Sequence, residues 1–90
     1  MTKYLVKLTV KARRNVDDEV GTYYVGQDFR FASEKNMPPL QYALLGYAFK
    51  TKKDAEEFCE LRPFKGEVKE WFDPFFYKVT HEVEAFYLEG

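Results

Sequence analysis

Apolar and polar residues alternate from the start of the chain, with Tyr4, Val6, Leu8, Val10 and Ala12 on one parity and Lys3, Leu5, Lys7, Thr9, Lys11 and Arg13 on the other. Successive side chains of an extended backbone point to opposite faces, so Lys3 to Arg13 reads as a half-buried strand. The longest such pattern runs from Phe75 to Leu88. Phe75, Tyr77, Val79, His81, Val83, Ala85 and Tyr87 share one face there, and Phe76, Lys78, Thr80, Glu82, Glu84, Phe86 and Leu88 share the other. A third strand is predicted over Val20 to Phe31, where Tyr23, Val25, Phe29 and Phe31 have one parity. Gly21 and Gly26 interrupt it, as glycine does at a bulge or a close backbone approach.

Between these strands the period changes. Thr51 and Asp54 stand at the cap and third positions of a helix, where a hydroxyl and a carboxylate can satisfy free amide groups reciprocally. Ala55, Phe58 and Cys59 then follow one-face spacing, with Leu61 beside them, while Lys53, Glu56, Glu57 and Glu60 take the solvent side. Pro63 is read as the end of this helix, and Glu67 to Phe72 as an alternating return strand followed by a turn at Asp73 and Pro74. Asn15 to Glu19 is read as an exposed connection, and Ser33 to Pro39 as irregular chain, because Pro38 lacks a backbone donor and Pro39 holds its predecessor extended. Residues 40–45 fit either a short helix entered at Pro39 and closed by Gly46 or the start of a strand continuing through Phe49. The helix is preferred.

Antiparallel pairing of the terminal strands would bring Lys3, Lys7 and Lys11 towards Glu82 and Glu84. Residues 1–50 carry a net charge of +3 and residues 51–90 a net charge of −4, for −1 in all. Such pairing would account for this asymmetry without any partner. The expected fold is therefore α+β: one domain over residues 1–90, an antiparallel sheet of four to five strands, and one main helix, about 51–62, on one face. Its core should include Tyr4, Val6, Leu8, Val10, Phe58, Val79 and Val83.

Composition narrows the function classes. Aromatic residues make up 19% of the 90, enough to build a dense core in a chain that buries only about 60–65% of its unfolded surface. One cysteine cannot form an internal disulfide, no apolar run is long enough to span a bilayer, and the lysines within the first strand do not fit a secretory signal. A reducing, cytoplasmic setting follows. Metal ligation and cofactor binding are not expected from one histidine and one cysteine without ligand spacing. His81 lies on an apolar parity, Cys59 on a helix's buried face, and the lone Ser33 in a loop with no histidine near it in sequence. No enzyme is expected.

Two surfaces remain for a partner. Phe76, Phe86 and Leu88 lie opposite Val79 and Val83 and are candidate contacts for another protein, unless covered by residues 36–45 or by a twin subunit. Lys50, Lys52 and Lys53 gather at a helix start, a candidate anion or carboxylate site if they are not balanced by Asp54, Glu56 and Glu57. Alternatively, Lys3, Lys7, Lys11, Arg13 and Arg14 could track the phosphates of a nucleic acid, although a sequence pI of 5.8 argues against it.

The strand at Gly46, the TKKDAEEF helix start and the GEVKEW segment together resemble small orphan proteins carried by phages and prophages of bacteria, a class that includes anti-CRISPR and other anti-defence inhibitors. The resemblance covers about a third of the chain. It implies a protein of the bacterial host cytoplasm that blocks a host protein by stoichiometric binding, with no active site. Many inhibitors of that class are strongly acidic DNA mimics, and this near-neutral chain departs from that pattern. A non-enzymatic protein-binding module is the expectation, and a nucleic-acid-binding domain the alternative.

Overall fold

The computed structural model describes residues 1–15 and 19–89. Four strands form one antiparallel sheet in the order β3-β2-β1-β4, from β1 (Thr2–Ala12), β2 (Gly21–Val25), β3 (Phe31–Ser33) and β4 (Tyr77–Tyr87). Three helices, α1 (Pro39–Tyr42), α2 (Lys52–Glu60) and α3 (Arg62–Trp71), complete the α+β fold. Residues 16–18 of the connection read at Asn15 to Glu19 lie outside the described residues; Asn15 and Glu19 are exposed.

The two longest alternating patterns pair with each other. β1 and β4 run antiparallel without a bulge, with Val6 opposite Val83, Val10 opposite Val79 and Leu8 opposite His81. Lys7 stands opposite Glu82, and their side chains approach to 3.7 Å. The expected charge matching holds only there, since Lys3 faces Phe86 and Lys11 faces Lys78.

One face of the sheet carries the larger core. Val6, Leu8, Val10 and Val25 pack against Ala55, Phe58 and Cys59 of α2 and Phe64 of α3, with Tyr4, Val79 and Val83 at the margin. Thr51 caps α2, its Oγ1 accepting from the Asp54 amide at 3.1 Å. Phe58 is the hub: its ring lies 4.7 Å from Phe29, 5.0 Å from Phe49 and 5.0 Å from Phe64.

Four expectations are corrected. Pro63 opens a helix instead of closing one: it sits in the first turn of α3, where its missing N–H needs no partner. Glu67 to Phe72 is accordingly helical down to Trp71, placing Phe64 and Val68 on one face at four-residue spacing, with Phe72 just beyond. Leu61, expected to be buried, is exposed at the extended break between α2 and α3. The strand expected over Val20 to Phe31 stops at Val25 and resumes at Phe31. Its aromatic parity survives the break, because Tyr23, Val25, Phe29 and Phe31 all reach the larger core.

The helix reading of residues 40–45 is the correct one. α1 opens on Pro39, runs into a wider helical turn over Ala43–Tyr47, and stops at Gly46, whose φ of 87° is left-handed. This segment lies on the second face of the sheet, where Tyr42, Ala43 and Ala48 form a separate small core with Leu5, Tyr24 and Phe86. The chain then crosses to the first face within two residues: Ala48 belongs to the small core and Phe49 to the large one. Phe49 exchanges backbone hydrogen bonds of 2.8 and 2.9 Å with Tyr4, filling the place beside β1 that β2 has vacated.

Candidate functional site

The crossing depends on Gly26. A Cβ there would lie 2.9 Å from the Tyr47 carbonyl carbon, closer still to its oxygen, and 3.1 Å from Cε1 of Tyr42. Absence of a side chain lets the Gln27 amide reach the Tyr47 carbonyl at 2.7 Å, and the Gln27 Nε2 donates to the Ala48 carbonyl at 2.8 Å. Tyr42 ties the same segment down from its other side. Its hydroxyl donates to Asp28 and lies 3.1 Å from the Arg30 carbonyl, and burial together with the Asp28 carboxylate raises its pKa well above the usual phenol range.

This clamp decides the fate of the aromatic surface expected on β4. Phe86 is only 9% exposed, its ring meeting Tyr24 edge-on at 5.8 Å, and Leu88 packs at the margin of the same core. Neither is the open contact that the sequence suggested, because residues 42–48 cover them. Phe76 is 37% exposed and meets Phe75 edge-on at 4.9 Å, at the far end of β4. The three residues therefore do not form one patch.

Apolar surface instead appears on the outside of the cover. Leu40, Leu44 and Leu45 are 50%, 67% and 54% exposed, and Tyr47 lies beside them in the chain with its ring 5.6 Å from Tyr42. Leu40 and Leu44 are four residues apart across consecutive helical turns, which brings their side chains onto one side. The sequence reading passed over these leucines because helix amphipathicity assigns the apolar residues of a short helix to its core. A four-residue α1 with its following turn has room to bury only Tyr42 and Ala43 inward. The cue available was the excess of apolar residues in YALLGY over what one helical face can hide.

The charged candidates divide. Lys52 and Lys53 pair along α2 with Glu56 at 3.8 Å and Glu57 at 4.0 Å, so the helix's own acids balance them; Lys50 is exposed just before the cap. Arg13 and Arg14 turn their Nε atoms to the carbonyls of Tyr77 and Phe75, each at 3.1 Å, and the Arg14 guanidinium also lies 3.8 Å above the Phe75 ring. Lys7 is matched by Glu82, and Lys3 stands across from Phe86. Lys11 beside Lys78 is what remains of the basic stripe as a like-charged pair.

His81 and Cys59 line one open cleft between α2 and β4, together with Lys52, Glu56, Glu60, Glu82 and Val83. Burial first, then Glu60 and Glu56, push the Cys59 thiol up to about 11. A nucleophilic thiol needs the opposite, an electropositive setting that favours thiolate. Ser33 is on β3 and His81 on β4, at opposite edges of the sheet, three strand spacings or roughly 14 Å apart. No hydroxyl–imidazole pair can form from them. A second groove of about 280 Å³ runs between α3 and β4, floored by Phe64, Val68, Phe72 and Val79 and rimmed by Lys65 and Lys69.

Among the described residues there is no group of three or more metal-ligating side chains, and no helix is long and apolar enough to cross a membrane. Comparison with known proteins returns no matching family, no matching curated protein and no matching solved structure.

Proposed function

We propose that the chain is a non-enzymatic protein-binding module whose contact surface is the outer side of the cover, Leu40, Leu44, Leu45 and Tyr47. The observation that carries this reading is the exposure of three leucines on a segment that Gly26, Gln27 and Tyr42 hold in place. Exposed apolar side chains on an ordered support can bind without a large cost of ordering, and aromatic and aliphatic anchors dominate protein interfaces. The partner surface that fits is an apolar groove on another protein. Stoichiometric occupation of that groove, as the resemblance to small phage and mobile-element inhibitors of host proteins implies, would block the partner without chemistry. The inert setting of Cys59 and the separation of Ser33 from His81 support a module without turnover.

The test is capture from bacterial lysate on immobilised protein, repeated with Leu44→Glu and Leu45→Glu. Both positions are exposed, so the variants should keep wild-type stability within about 0.5 kcal/mol. Salt-insensitive capture that both variants abolish is the expected result; capture unchanged by them sinks the assignment. The second reading, a nucleic-acid surface, draws on Lys11 beside Lys78. It requires a gel shift that weakens steeply with salt and is reduced by Lys11→Gln.

A further inference from the structure

β4 is an edge strand, and its outer edge is unlike the protected edges of most sheets. The Arg13 amide donates to Phe76, and Leu88 exchanges hydrogen bonds with Met1, so the even-numbered residues of β4 turn their backbone groups to β1. The odd-numbered ones, Val79, His81, Val83, Ala85 and Tyr87, must then point their N–H and C=O groups outward. At the near end the Tyr77 carbonyl already accepts from Arg13. No proline or bulge interrupts the strand, and its 11 residues are long for an edge. The helices stop short of it: Val79 and Val83 are only half-buried, and His81 and Ala85 are exposed, although all four face the α2–α3 side. At the opposite edge of the sheet, β3 has just three residues.

We infer that this edge pairs with β4 of a second copy, antiparallel and centred on His81, to give a two-fold dimer with one continuous sheet. The sequence of β4 complements itself in that register. Lys78 falls opposite Glu84 of the second copy, and Glu84 opposite Lys78, so an opposite-charge pair forms at each end. Val79 meets Val83, closing the half-buried valines over each other. Phe75 and Tyr87, exposed aromatics equally far from His81, come together beyond the paired residues.

Lys78 has a particular need of this neighbour. Within the monomer its cross-strand partner is Lys11, a like charge, and an incoming Glu84 offsets that repulsion from the other side. Competing registers are poorer. Centring on Glu82 sets that carboxylate against its own copy, and centring on Thr80 spends Lys78 on Glu82, whose charge Lys7 already offsets at 3.7 Å, whereas Glu84 is engaged only by the neutral Tyr24 hydroxyl at 2.9 Å. Isologous pairing also consumes the long edge completely, so the assembly closes at two copies and does not propagate.

Light scattering on the sizing column should give twice 10.7 kDa for the full chain. His81→Pro removes an N–H that points away from β1, so it should leave the circular dichroism unchanged and give a monomer. Lys78→Glu and Glu84→Lys should each weaken the dimer about tenfold, since each turns two attractive cross-strand pairs into repulsive ones. Mixed in equal amounts they should restore it, because the heterodimer recovers both pairs. A wild-type chain that stays at 10.7 kDa up to about millimolar concentration overturns the inference. So does a His81→Pro variant that still dimerises, or a mixture no tighter than its components. Leu44→Glu, which addresses the separate capture surface, should leave the mass doubled.

Discussion

Replacing Gly26 by alanine should cost more than its single added methyl suggests. The new Cβ would overlap the Tyr47 carbonyl and press on the Tyr42 ring, with 2.9 Å to the carbonyl carbon and 3.1 Å to Cε1. Neither neighbour can step aside cheaply. The Tyr47 carbonyl is fixed by the Gln27 amide at 2.7 Å, and the next carbonyl, that of Ala48, by the Gln27 side chain at 2.8 Å. Tyr42 is held through its hydroxyl by Asp28. Overpacking of a fixed site costs about 1–3 kcal/mol, and each hydrogen bond given up to relieve it about 1 kcal/mol more, so the total loss should be about 3 kcal/mol.

Against a domain stability of about 5–15 kcal/mol that is a large fraction. Urea denaturation, with m of about 1–1.5 kcal/mol/M for a domain of this size, should show the midpoint falling by about 2–3 M. Because relief means lifting residues 42–48 from the second face, Phe86 and Leu5 should become accessible, and the native variant should bind more of a hydrophobic dye than the wild type does. A midpoint within about 0.3 M of wild type would refute the reasoning, since it would mean that the cover is not clamped at Gly26.

The same substitution elsewhere should have the opposite sign. Gly66 lies inside α3 with nothing within 4 Å of a built Cβ, so Gly66→Ala should raise stability, as measured by urea denaturation, by about 0.5–1 kcal/mol. Tyr42→Phe should destabilise the chain by about 1–3 kcal/mol by taking its phenol donor from the half-buried Asp28 carboxylate, which then keeps only the Arg30 amide at 3.3 Å. Burial and hydrogen bonding raise the folded-state pKa values of Tyr42, Tyr24 and Tyr23, the last to about 12. Their contribution is thus fully present below the unfolded phenol value of about 10 and lost as pH rises beyond it; thermal melts should hold from pH 7 to 9 and fall above 10, less steeply in Tyr42→Phe. Cys59, buried and pushed up to about 11, should resist alkylation at pH 8 until denaturant unfolds the chain; labelling at the rate of a free thiol under native conditions would count against its placement.

Legibility in the sequence followed the length over which a pattern could be read. The alternation of β1 and β4 extends over eleven residues in each strand, so their parity, pairing and the Lys7–Glu82 match were open to inspection. The α2 cap was equally local. α3 was misread because six residues, Glu67 to Phe72, satisfy a two-residue period as well as a helical one, and because a proline can start a helix as readily as stop it. The four-residue spacing of Phe64, Val68 and Phe72 decides the matter only in a window that extends back to Phe64, next to Pro63. The cover over Phe86 could be posed as an option but not resolved. It rests on contacts of Gly26 and Gln27 with Tyr47 and Ala48, and of Tyr42 with Asp28, none of which has a local signature.

That non-local clamp also explains why the apolar surface lies where it does. The second face of the sheet exposes Leu5, Tyr24 and Phe86 over a small area, and the chain covers it with one short helix and a turn before it must cross to begin α2. So short a segment cannot place every apolar side chain inward, and Leu40, Leu44 and Leu45 are left outside by geometry. Leu45 and Tyr47 line a cleft with Phe31, Ala32 and Ser33, which sets this end of the cover towards β3, the edge of the sheet opposite β4. Pairing through β4 would therefore leave both leucine surfaces of the dimer facing outward and far apart. A partner that carries two matching grooves would be held by both surfaces at once, and its capture would weaken in His81→Pro even though no leucine is changed.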